Sequence, residues 1–212
     1  MLRVADATYD LAAYDEVMVL GGGKAAGHVA AALEGVLGER LSGGVVVTDD
    51  PVATDRVDVV EGAHPLPDEA GRAGARRVLE RASGADERTL VLAVVAGGGS
   101  ALLPSPAGDL GLDDLRSVTD ELLSAGAPIA EVNAVRKHAS AIKGGRLARA
   151  AAPATVVGLV FSDVVGDDLG AVASGPTAPD GTTYAEALGV LDEHDVAAPA
   201  VRGHLEAGVD GD

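Results

Sequence analysis

The sequence predicts an α/β fold built on a mostly parallel sheet with helices on both faces. Three observations predict it. Short apolar runs alternate with longer amphipathic stretches along the 212 residues, the pattern of repeated strand–helix units. The apolar runs are continuous rather than alternating, as in strands buried on both faces. Glycine-rich or polar motifs follow several runs directly, at the carboxyl strand ends where open parallel sheets bind ligands.

The elements follow in order. Val17 to Leu20 reads as a buried strand running into Gly21-Gly22-Gly23-Lys24. Ala25, Val29, Ala32, Leu33 and Val36 then recur at helical spacing. Gly44 to Thr48 is a second strand and Arg56 to Glu61 a third. Residues 68–82 read as a helix with Asp68 as its cap. Leu90 to Ala96 is a strand followed by Gly97-Gly98-Gly99-Ser100. Residues 112–125 form an amphipathic helix closed by Gly126. Residues 130–151 carry a second long helical pattern, interrupted at Gly144-Gly145. Val156 to Phe161 is a strand leading into Ser162-Asp163, and residues 184–194 are helical again. From Ala197 onward the apolar periodicity fades into glycine and aspartate. The expected organisation is one domain over residues 1–196 and the start of a linker over 197–212.

Composition narrows the function. Apolar residues make up 47% of the chain, nearly all Ala, Val and Leu, with one Phe and no Trp. The core is therefore aliphatic and built from small side chains. A net charge of -17, spread along the whole chain, argues against nucleic acid and anionic membranes as partners. It reads as a solvated acidic surface adapted to a salt-rich, halophilic cytoplasm in preference to a generically acidic one, because about 1 M salt shortens the screening length to ~3 Å. The absence of cysteine excludes disulfides, thiolate metal sites and a Cys nucleophile. No apolar leader opens the chain, and no run approaches the roughly 20 apolar residues of a membrane span. A cytoplasmic location is expected. Lysine survives only as Lys24, Lys137 and Lys143, so each one draws notice.

Five motifs could carry chemistry. Gly21-Gly22-Gly23-Lys24 joins a strand to a helix, where glycines admit a ligand and helix N–H groups face an anion. It is not a Walker A loop, because the glycine–lysine spacing is wrong and no Ser or Thr follows. It fits G-x-G-x-x-A through Gly21, Gly23 and Ala26, with Asp49 placed as a ribose-binding acid. A tight turn with a solvated lysine remains the plain alternative. Gly97, Gly98, Gly99 and the Ser100 hydroxyl make a second candidate anion nest. Over residues 133–145, helical spacing puts Val132, Val135, Ala139 and Ile142 on one face. It puts Asn133, Arg136, Lys137, Ser140 and Lys143 on the other. Three cations and no acid on one face of an acidic chain suggest an anion-binding surface. His138 lies between the faces and reads as structural. Asp163, after a buried strand, could hold Mg²⁺ or accept a hydroxyl proton. The turn Ala173-Ser174-Gly175-Pro176-Thr177 could line a pocket.

In this order, "GGGKAA", "GAHPLPD", "GGGSALL", "GAPIAEVNAVRKHASAIKGGRLA", "FSDVVGDD" and "ASGPTAPD" resemble the class II glycerate kinases, a family also described as containing hydroxypyruvate-reductase-like proteins. The resemblance covers about Val17 to Leu191. It implies a Rossmann-like, three-layer α/β/α domain and ATP-dependent phosphorylation of D-glycerate to 2-phosphoglycerate, with ATP and Mg²⁺. Lys24 matches the family's glycine-turn lysine, read as catalytic. Ser100, Asn133, Arg136, Lys137 and Asp163 match motifs lining a cleft whose other wall is a C-terminal domain, absent after about Asp212. An isolated domain of this kind is expected to be inactive alone, and a homodimer is compatible with it. The rivals are an NAD(P)H-dependent hydroxypyruvate reductase and a non-catalytic nucleotide-binding module.

Overall fold

Five apolar runs pair into one parallel sheet. The computed structural model describes residues 1–162 and 168–211. Strands β3 (Glu16–Gly22), β4 (Gly43–Thr48), β5 (Val57–Glu61), β6 (Thr89–Ala96) and β7 (Thr155–Phe161) lie in the order β5-β4-β3-β6-β7, every neighbouring pair parallel. A small antiparallel hairpin, β1 (Leu2–Val4) and β2 (Ala7–Tyr9), precedes the sheet.

Side chains two apart share a face of a strand, and the core divides accordingly. Val17 and Val19 pack with Ala26, Ala30 and Leu37 of helix α1 (Ala26–Leu37). Met18 and Leu20 pack on the other face with Ala75, Val78 and Ala82 of α2 (Glu69–Ser83). Helices thus cover both faces, as expected. The expected cap is present: the Asp68 carboxylate accepts from the Gly71 N–H at 2.8 Å, satisfying an N–H that a helix start leaves open. After the four-residue α3 (Gly99–Leu102) comes α4 (Leu112–Ser124), closed by Gly126 at φ +82°.

Two expectations are corrected. The pattern over 130–151 is not one interrupted helix. Helix α5 (Ile129–His138) ends at Ala139, and α6 (Arg146–Ala150) starts only after Gly144 and Gly145, both at positive φ. Between them the Ser140 hydroxyl accepts from the N–H groups of Ile142 and Lys143 at 3.2 and 3.3 Å, giving the backbone an alternative to helix. Nor does the chain dissolve after Ala197. Helix α8 (Pro199–Asp210) begins with a proline in its first turn, where the missing N–H costs nothing. Its Val201 and Leu205 join α4, α5 and α7 (Tyr184–Glu193) in a third apolar cluster. Val201, Leu205 and Val209 recur every four residues, but with Val209 exposed only the first two anchor the helix. Among the described residues no helix is long and apolar enough to cross a membrane.

Candidate active site

The chain leaves β3 through β4 to the edge strand β5, then returns to place β6 and β7 on the other side. Order therefore reverses between β3 and β6, the place where parallel sheets open a crevice at their carboxyl ends. Both glycine motifs stand there. They are tied together: the Lys24 N–H donates to the Gly97 carbonyl at 2.9 Å, and the Gly23 N–H to the Val47 carbonyl at 3.0 Å.

These bonds correct the reading of the first motif. A Cβ on Gly21 would drive into the Val94 carbonyl, and one on Gly23 would stand 2.5 Å from the Ala96 oxygen. Gly22 sits between the Val47 oxygen and the Leu103 side chain. Gly21, Gly22 and Gly23 are small so that β3 can lie against its neighbours, and their polar groups serve the sheet.

What this turn delivers is Lys24. Its side chain is exposed, and among the described residues its ammonium has no hydrogen bond or ion pair. Its Cγ lies 3.0 Å, and the His64 ring 3.1 Å, from where a Cβ on Gly98 would be. Gly98, at φ +80°, is the N-cap of α3. The first N–H groups of a helix have no partners within it, so those of the Gly98-Gly99-Ser100 turn begin beside Lys24. His64 was missed in the sequence, although "GAHPLPD" contains it. Its Nδ1 stands 3.8 Å from Asp49 Oδ2, so the acid that suggested a ribose contact faces a histidine instead.

The remaining motifs converge on the second turn. The Ser174 hydroxyl donates to Asn133 Oδ1 at 3.1 Å and lies 2.7 Å from the Ser100 hydroxyl. Its single proton is given to Asn133, so Ser100 is the donor of the second bond. Ser100 thus spends its proton on Ser174, not on an anion. Asn133, 8% exposed, supports this chain from the interior rather than facing a ligand. Ala173, Ser174 and Gly175 are all at positive φ, between 51° and 61°, a conformation costly for the first two. It is held by N–H groups of Gly144 and Gly145, which donate to the Ser174 and Gly175 carbonyls at 3.0 and 2.8 Å.

The expected cationic stripe is divided. Lys137 pairs with Asp180 at 3.3 Å, the two side chains 12% and 11% exposed. Burial alone would raise the Asp180 carboxyl, but the Thr182 N–H and hydroxyl and the Lys137 charge hold it below its ordinary value. The charge of Lys137 is thereby met within the fold by Asp180. Arg136, on the next turn face, meets Lys143 instead. Lys143 is 3% exposed and donates to the Ser100 and Leu103 carbonyls at 3.0 and 3.2 Å. Burial, with the Arg136 charge adding to it, pushes its ammonium down to about 7. Burial also lowers Arg136, against the opposing pull of Asp120. Both cations line a cavity of about 330 Å³ with Leu66, Leu115, Val118 and Leu123, next to His64, Gly98 and Ser100. Lysine scarcity flagged Lys143; nothing local revealed that it is buried. Asp163 lies outside the described residues.

Known proteins resemble this arrangement. A putative hydroxypyruvate reductase of Agrobacterium vitis is 44% identical over 86% of the chain and 42% of its own length. A glycerate 2-kinase of Pyrococcus horikoshii is 42% identical over 93% of the chain and 45% of its own length. The crystal structure of a glycerate kinase of Thermotoga maritima superposes with a TM-score of 0.85 at 41% identity, over 90% of the chain and 47% of that protein. The chain therefore spans less than half the length of the relatives it matches. A match over residues 2–206 to the family described as a domain of unknown function, DUF4147, shows that the chain belongs to that family and is related to glycerate kinases.

Proposed function

We propose that the chain is one wall of a glycerate 2-kinase site, passing the γ-phosphoryl group of ATP to the 2-hydroxyl of D-glycerate. The observation that carries this reading is Lys24, a cation without a partner among the described residues, at the strand-order reversal and beside the start of α3. Phosphoryl transfer needs positioning and charge neutralisation more than covalent chemistry, and this corner offers both. Lys24 neutralises charge on the transferring group. The N–H groups of the Gly98-Gly99-Ser100 turn receive phosphate oxygens, and Arg136 holds an anionic oxygen of one substrate. A polyanion fits here because the backbone approaches closely where Gly98 lacks a Cβ.

Among the described residues no group of three or more His, Asp or Glu is placed to hold a metal. Asp163 keeps the proposed role of orienting Mg²⁺ or the acceptor hydroxyl. The other wall belongs to the half that the relatives possess beyond this match.

The test is ADP release from ATP and D-glycerate by the chain joined to that second half. Lys24→Ala should lower turnover by about 10²–10³-fold or more, the cost of removing one transition-state charge partner, with the circular dichroism spectrum unchanged. Near-normal turnover would remove Lys24 from the mechanism. Oxidation of NAD(P)H with hydroxypyruvate, in place of ADP release, would favour the reductase reading. A lysine inside the G-x-G-x-x-A turn has no part in hydride transfer, which weighs against it.

A further inference from the structure

We propose that His64 is the general base of this site: held by Asp49, its Nε2 takes the proton of the acceptor hydroxyl as that oxygen attacks phosphorus. This role rests on the kinase reading above and gives it a proton acceptor.

Four neighbouring strands deliver one residue each to the same corner. Lys24 follows β3, Asp49 follows β4, His64 follows β5 and Gly98 follows β6. Buried Thr48 ties the first three together. Its hydroxyl donates to the Lys24 carbonyl at 3.0 Å, its carbonyl accepts from the Gly62 N–H at 2.9 Å, and Asp49 is its neighbour in the chain. The loop carrying His64 is pinned on its far side too. The Ala63 N–H donates to Asp68 Oδ1 at 3.2 Å, and Arg116 donates to the Pro67 carbonyl at 2.8 Å. His64 therefore stands on a frame set before any ligand arrives, as a catalytic group requires.

The two edges of the ring face different things. Nδ1 stands 3.8 Å from Asp49 Oδ2, the side chains 29% and 30% exposed. That is longer than a hydrogen bond, a length that catalytic contacts often show before substrate binds. The opposite edge, Cδ2 and Nε2, lies 3.1 and 3.3 Å from where a Cβ on Gly98 would be, and the Lys24 Cγ lies 3.0 Å from the same point. A carboxylate beside Nδ1 favours the tautomer with its proton there, which leaves the Nε2 lone pair free to accept one. Among the described residues Nε2 has no hydrogen-bond partner.

The other proton acceptors around the cavity are placed for other tasks. Asp120 is exposed and faces Arg136. Lys143 is buried and donates to two carbonyls. The remaining histidines lie elsewhere: His138 meets Thr182, His194 meets Glu131, His204 meets the His138 carbonyl, and His28 faces Asp50 on the surface. In the proposed step the hydroxyl proton passes to His64 Nε2 while the acceptor oxygen bonds to the γ-phosphorus. The bond from that phosphorus to its bridging oxygen breaks, ADP leaves with the electron pair, and His64 later gives the proton to water. Asp49 touches no reacting atom and is a positioning residue.

Steady-state ADP release from ATP and D-glycerate, by the chain joined to the second half of its relatives, tests the base. His64→Ala should lower kcat about 100-fold or more. It should leave KM for D-glycerate nearly unchanged, because the lost contact is made in the transition state. Added imidazole should restore kcat by about tenfold or more. His28→Asn, at the exposed surface, should leave kcat unchanged. A second measurement is independent of turnover. Nitrogen-resolved NMR of the 212-residue chain should find neutral His64 protonated on Nδ1, and Asp49→Asn should shift it toward the Nε2–H form of free histidine. No ADP release by the wild-type enzyme overturns the kinase reading, and the base with it. Equal release by wild type and a folded His64→Ala variant overturns the base alone. So does a loss that imidazole leaves untouched, or an Nε2–H tautomer in the wild-type chain.

Discussion

Lys143→Met gives the sharpest physical test of the fold around the second glycine turn. A lysine ordinarily keeps its proton up to 10.5, but this one loses it at about 7, because burial penalises the charge and Arg136 repels it. Between those values the unfolded chain holds a proton that the native chain has released. Stability must then rise with pH, since it rises wherever the unfolded state binds more protons. Below about 7 the charged form is buried and its full penalty applies; above it the native amine is neutral and the penalty fades. Integrated from about pH 7 to about pH 9, the gain is about 2 kcal/mol. Methionine fills a similar volume and cannot titrate, so Lys143→Met should lack this rise. It also leaves the Ser100 and Leu103 carbonyls without their donor, which costs about 1–3 kcal/mol each where no water replaces it. The variant should therefore fall furthest behind at the alkaline end. Urea unfolding of both proteins at several pH values, at fixed salt, measures the two slopes. Parallel pH profiles would refute the buried-charge account of Lys143.

Two further outcomes follow from contacts at the same crevice. Gly21→Ala forces a methyl group against the Val94 carbonyl at a positive φ, so urea unfolding should show a loss of at least about 3 kcal/mol or no folded protein; a loss below about 1 kcal/mol would mean that β3 and β6 can part freely. Ser174→Ala removes the hydroxyl joining Ser100 to buried Asn133 and should cost about 1–3 kcal/mol; an unchanged denaturation midpoint would show that the hydroxyl chain does not hold the turn.

The strands were legible because each is a continuous apolar run with few other uses. Val17 to Leu20 and Leu90 to Ala96 need burial on both faces, and only an interior parallel strand supplies it. Every expected strand appears within two residues of its predicted ends. Caps were legible for a similar reason: Asp68 and Gly126 act on their own neighbours. The scarcity of lysine was also informative, but about position rather than role. The three lysines have three fates: Lys24 has no partner among the described residues, Lys137 pairs with Asp180, and Lys143 is buried.

Those fates depend on contacts that no local pattern encodes. Val132, Val135, Ala139 and Ile142 are each fully buried, as helical spacing required. Yet only the first two lie on α5, and the others are buried from the turn beyond it. The polar positions were read as an anion-binding surface because they fell on the face opposite that apolar set. Asn133, Ser140 and Lys143 are instead buried as well, and each is satisfied by backbone or by a distant side chain. Lys143 reaches carbonyls 43 and 40 residues earlier in the chain, and Asn133 a hydroxyl 41 residues later. A polar stripe within a helical period therefore has two meanings, water or a second polar layer, and periodicity cannot choose between them. The choice is made by what the sheet topology brings alongside. Here β6 ends beside the turn after α5 and delivers the Ser100 and Leu103 carbonyls that Lys143 needs. The consequence for the site is specific. Arg136 and Lys143 line one cavity not because they share a helix face, but because the strand-order reversal between β3 and β6 places the second glycine turn beside both.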